Sequence, residues 1–69
     1  MDKKKIATYI KKRRKQLNIT QEELALLSEI STRKLSDIER ANGTTTIDTL
    51  GKVCEVLGLE ITLKIKRIE

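Results

Sequence analysis

Between Lys4 and Leu17, Ile6, Ile10 and Leu17 fall on one helical stripe, and Lys4, Lys11, Lys12 and Lys15 fall on the other side at about 100° per residue. This spacing predicts an amphipathic first helix, with Asn18 as its left-handed stop. Thr20 and Glu23 then fit a capping box, and Ile19 and Leu24 fit the hydrophobic staple around it, so a second helix runs from about Gln21 to Leu27 or Ser28. Ile30-Ser31 with Leu35 repeats the staple. Ser31 is the expected N-cap of a third helix reaching about Arg40. Asn42-Gly43 and three threonines break the periodicity, and Thr46 caps a fourth helix from Ile47 to Leu57 that Gly58 ends.

Two segments carry more apolar surface than a four-helix unit needs. On the fourth helix Ile47, Leu50, Val53, Cys54, Val56 and Leu57 span about half the circumference, so part of this arc is expected to meet another chain. From Leu59 to Lys66 the period changes to two: Leu59, Ile61, Leu63 and Ile65 alternate with Glu60, Thr62, Lys64 and Lys66. That is the pattern of a β-strand, and the chain has no second strand-like segment to pair with it. The same strand from a second copy, related by a two-fold axis, supplies the missing ladder. Val53, Val56, Leu59, Ile61, Leu63 and Ile65 are accordingly the expected dimer interface.

Composition narrows the class. The chain has 69 residues, enough for one domain and too few for a multi-domain enzyme. Its lone Cys54 excludes an internal disulfide, and the absence of histidine removes the usual zinc ligand sets and the commonest general base. With no glycine-rich phosphate loop either, the expectation is a protein that is no enzyme and holds no metal or cofactor. No apolar run approaches the roughly 20 residues of a membrane span, which together with the lack of a signal-type stretch suggests a cytoplasmic protein. Net charge is +5, but residues 1–17 alone carry eight basic side chains against one acid, while residues 18–60 carry four against eight. Such asymmetry suits an anionic partner.

The helix pair from Gln21 to Arg40 reads as a helix-turn-helix. On the third helix Leu35 and Ile38 point inward, and Thr32, Arg33, Ser36, Asp37 and Arg40 occupy the opposite arc. Arg33 has the geometry for bidentate contact with guanine in a major groove, and Thr32 and Ser36 can bond bases or meet a thymine methyl group.

At this point the sequence resembles the phage Cro/repressor type of helix-turn-helix domain, also called the xenobiotic-response-element type. The carrying residues are Leu17-Asn18-Ile19-Thr20-Gln21-Glu22-Glu23-Leu24-Ala25, Ile30-Ser31, Leu35-Ser36-Asp37-Ile38-Glu39-Arg40 and Thr46-Ile47-Asp48-Thr49-Leu50. The resemblance implies an all-α, lambda-repressor-like fold of four to five helices, here with the C-terminal strand added. Residues 1–58 would be the DNA-binding part and residues 59–69 the dimerisation strand of the same domain. It also implies that Thr32, Arg33 and Asp37 sit where the family reads bases; Ser36 joins them as a base-reading candidate through its place on the same arc. Phosphate contacts would come from Thr20, Gln21, Lys34, Arg40, Asn42, Gly43 and Thr44, the loop gripping through backbone N–H groups. The family pairs a first-helix arginine with Glu39; periodicity leaves Arg13 and Arg14 both open, and the resemblance selects Arg14.

Two departures stand out. Glu29 replaces the family's usual turn glycine, at a cost of about 1 kcal/mol if the backbone there needs positive φ. Asp37 puts a carboxylate on the reading face, where it can accept from a cytosine amino group or restrain Arg33 one turn earlier. A closer likeness, carried by Leu57-Gly58-Leu59-Glu60-Ile61-Thr62-Leu63, is to the HipB-like antitoxins, which implies an autoregulating repressor that also binds a HipA-type kinase toxin. The alternative is a stand-alone repressor or a restriction-modification controller with no toxin partner. In both, the expected mechanism is a homodimer on a near-palindromic double-stranded DNA operator, with no membrane involved.

Overall fold

A computed structural model describes residues 2–66. It contains four helices: α1 (Lys3–Gln16), α2 (Gln21–Leu27), α3 (Thr32–Glu39) and α4 (Ile47–Leu57). Each begins with a side-chain cap. Asp2, Thr20, Ser31 and Thr46 accept from the backbone N–H groups of Lys4, Glu23, Lys34 and Thr49 respectively, and at Thr20 the Glu23 carboxylate returns the bond to complete a capping box.

The helices also end alike. Each closes on a left-handed residue, Asn18, Glu29, Ala41 or Gly58, with φ between 56° and 71°. The following N–H reaches back five residues in every case: Ile19 to Arg14 O, Ile30 to Ala25 O, Asn42 to Asp37 O and Leu59 to Cys54 O. This paired-bond ending satisfies the carbonyls that a helix terminus leaves open. Glycine occupies that position at only one of the four ends. Glu29 stands at φ 59°, so the replacement of the turn glycine does load the backbone, and Ala41 carries the same load at φ 56°.

The ends matter because they aim each helix into a shared core. Ile10 from α1, Leu24 and Ala25 from α2, Leu35 and Ile38 from α3, and Leu50, Val53, Cys54 and Leu57 from α4 form one buried cluster. α2 packs against α3, α1 against α3 and α4, and α2 against α4. Leu17, placed on the apolar stripe by periodicity, lies instead at the α1 C-cap and is 40% exposed, because the helix turns away there into its left-handed end.

Two expectations about the second apolar surface need correction. Val53 is fully buried in the core of its own chain, so it is not available to a dimer interface. The wide α4 arc is consumed mainly by α1 and α2; Val56 is half-buried against the core, and Ile47 is the exposed residue of the arc. Residues 59–66 form no strand in the single chain, since a strand is defined by a ladder and no other strand is present among the described residues. Leu59 packs against the core, Ile61 is at the border of exposure, and Leu63 and Ile65 are almost fully exposed. The end of the expected dimerisation segment, residues 67–69, lies outside the described residues.

Candidate nucleic-acid interface

Glu39 is the last residue of α3, and its side chain is 1% exposed. Arg14 on α1 meets it with two bonds, Nε to Oε2 at 2.7 Å and Nη2 to Oε1 at 3.0 Å, while its remaining Nη1 donates to Ile19 O at 2.9 Å. Gln21, the first residue of α2, donates its side-chain amide to Glu39 Oε1 at 3.1 Å. One carboxylate therefore joins three helices. Burial by itself would raise the Glu39 carboxyl, but the hydrogen bonds from Arg14 and Gln21 and the charges of Arg14 and Lys11 outweigh it and hold it below its ordinary value. The bond to Glu39 in turn pushes the Arg14 guanidinium up against the effect of burial. Arg13, the other arginine near the apolar stripe, points elsewhere. Its Nε donates to Leu57 O at 2.9 Å and closes the end of α4.

With its inner edge fixed this way, α3 turns a short polar row outward. Thr32 and Arg33 in its first turn and Arg40 at its C-cap are exposed, and Ser36 and Asp37 are half-exposed between them. Arg33 makes no ion pair among the described residues, whereas Asp37 does. Asp37 Oδ1 accepts from Arg40 Nη2 at 3.1 Å and from Asn42 Nδ2 at 3.4 Å. The idea that Asp37 restrains Arg33 is thus corrected: the left-handed turn at Ala41 folds Asn42 back onto Asp37, and Arg40 lies one turn away on the same side. That pairing partly neutralises a carboxylate on the outward face.

The loop beyond α3 is held from two directions. Lys3 Nζ donates to Gly43 O at 2.6 Å and Lys34 Nζ donates to Thr44 O at 2.5 Å. Asn42, Gly43 and Thr44 are exposed, and the N–H groups of Gly43, Thr44 and Thr45 make no hydrogen bond to another described residue. The Gly43 and Thr44 carbonyls are satisfied while these donors remain open, an arrangement suited to an anion. Thr20 uses its hydroxyl as the α2 cap, and Gln21 is half-buried beside Glu39.

Sequence reasoning missed both loop straps and the second role of Gln21. A lysine forty residues away from Gly43 carries no periodic signal, and a bond between two residues eighteen apart is visible only after the helices have packed. Among the described residues there is no cluster of His, Cys, Asp and Glu able to hold a metal ion, and no helix is long and apolar enough to cross a membrane. Burial pushes the Cys54 thiol up, the opposite of what a reactive thiolate requires.

The geometry agrees with the comparisons. A search of curated proteins finds no matching relative. A helix-turn-helix family model matches residues 10–64, a span that takes in the C-terminal half of α1, all of α2, α3 and α4, and the segment after them as far as Lys64. The chain belongs to the helix-turn-helix family of the Cro/C1 type, whose members are DNA-binding regulators of transcription.

Proposed function

We propose that this chain is an autoregulating repressor of the HipB-like antitoxin kind, which binds a near-palindromic operator as a homodimer and also binds a HipA-type kinase toxin. The observation that carries the DNA part is the outward row on α3, with Arg33 exposed and in no ion pair near the helix N-terminus and the inner edge clamped through Glu39. Arg33 reads guanine, Thr32 and Ser36 make the neighbouring base contacts, and Asp37, tied to Arg40 and Asn42, accepts from a cytosine amino group. Gln21 and the 42–44 loop hold phosphates, with Thr20, Lys34 and Arg40 at the edges of the contact. The alternating apolar residues of 59–66, largely exposed beyond Leu59, support pairing with a second copy. Two recognition helices in successive major grooves, about 34 Å apart, follow from such a two-fold.

Selection from random duplex DNA at about 0.15 M salt tests this reading, because non-specific binding at that salt is weak, about 10⁻⁴ to 10⁻⁶ M. An enriched palindrome is the expected result; no enriched motif overturns it. On the selected operator Arg33→Ala should lose about 1 to 3 kcal/mol and relax selectivity at one base pair per half-site. A uniform loss on all sequences would instead make Arg33 a phosphate contact. A kinase-type toxin co-purifying at fixed stoichiometry is expected for the antitoxin. Operator binding without such a partner would leave the stand-alone repressor.

A further inference from the structure

Apart from Lys3, the lysines of α1 make no bond in the site described so far. Lys11, Lys12 and Lys15, with Thr8, line a groove of about 340 Å³ whose inner wall is Glu39. All three are exposed, and none is in an ion pair among the described residues. The Thr8 hydroxyl is turned to Lys4 O at 2.9 Å, and both Glu39 oxygens are already bonded by Arg14. The groove is therefore net positive despite the carboxylate in its wall.

Its position relative to α3 gives the charge a meaning. At about 100° per residue, Lys34 and Asp37 lie on one flank of α3, Glu39 lies on the other, and Arg33, Ser36 and Arg40 lie between them. The 42–44 loop returns along the first flank, through the Lys34 bond to Thr44 O and the Asn42 bonds to Asp37. The lysine groove borders the second. A helix lying in a major groove has a sugar-phosphate strand on each side, the groove being about 12 Å wide.

We propose that Lys11, Lys12 and Lys15 form a second phosphate-binding face, which grips the strand opposite the one met by the loop, so that α3 is seated between two anchored backbones. The inference rests on the DNA-binding reading above and adds to it the helix that the helix-turn-helix itself does not include. The contact is electrostatic and blind to base sequence, so its signature is in the salt dependence of binding and not in selectivity.

The experiment compares three full-length chains on the selected operator and on an unrelated duplex across a range of salt: the wild type, Lys11→Gln/Lys15→Gln, and Lys5→Gln/Lys52→Gln. The last removes the same charge from exposed positions outside the groove, and circular dichroism verifies that each variant is folded. Losing two phosphate contacts should make the slope of log affinity against log salt shallower by about 2 per chain bound, with the ratio of specific to non-specific affinity unchanged. The Lys5/Lys52 chain should keep a slope close to that of the wild type. Equal slopes for the two double variants, on an operator the wild type binds, would overturn the second face and leave the DNA reading standing. A wild type that binds no duplex would overturn both.

Discussion

Glu39 combines near-complete burial with a charge, and its pH dependence follows from that pairing. Its carboxyl titrates lower in the folded chain than in the unfolded one, so its stabilising contribution is complete above the unfolded value of about 4.3 and is lost as pH falls through the lower folded value. Thermal unfolding followed from pH 7 to pH 3 should therefore drop more steeply in the wild type than in Glu39→Gln. Parallel curves would show that the pair does not govern acid sensitivity. Glu39→Ala leaves Arg14 without its partner at a site where the guanidinium is only 12% exposed, and should cost about 3 kcal/mol in chemical denaturation. The left-handed positions offer the opposite sign. Glu29→Gly and Ala41→Gly should each stabilise the fold by about 0.5 to 1 kcal/mol, the strain relieved exceeding the extra freedom given to the unfolded chain. A lower melting temperature in both would contradict the strain argument.

The helices were readable because their boundaries are made by neighbours in sequence. Thr20 with Glu23, Ser31 before α3, and Thr46 with Gly58 around α4 are caps whose chemistry is complete within a few residues, and α4 spans the range its caps set. Thr20→Ala should cost about 1 kcal/mol, and Glu23→Ala should add little on that background because the box is reciprocal. Full additivity in urea unfolding would mean that the two bonds are independent. Ala41 was not readable, since nothing about alanine announces a left-handed turn; only the packing of Asn42 onto Asp37 forces it. Val53 misled for a related reason. Periodicity reports that a helix face is apolar and not what covers it, and here α1 and α2 cover most of the apolar arc of α4, from Leu50 to Leu57. On the site, the outward row of α3 followed from the position of Leu35 and Ile38, whereas the partners of Asp37 depended on a turn that periodicity does not describe.

For the molecule as a whole, the segment after α4 is the point of greatest consequence. Leu59 belongs to the core and bonds Cys54 O through its N–H at 2.8 Å, so a truncation that tests dimer formation should begin at Glu60 and spare it. If the chain pairs as proposed, removal of residues 60–69 should convert the dimer to a folded monomer with weakened operator affinity. A truncated chain still dimeric by sedimentation at micromolar concentration would place the interface elsewhere. The two straps on the loop after α3 bear on association in a different way. Lys3 and Lys34 fix the Gly43 and Thr44 carbonyls in the free protein, from α1 and from α3, so the entropy of ordering that loop is lost during folding and not on encounter with a ligand. In the proposed complex, binding through the loop would then be a rigid-body event, its rate set by diffusion and charge steering, without a slow rearrangement step after the first collision.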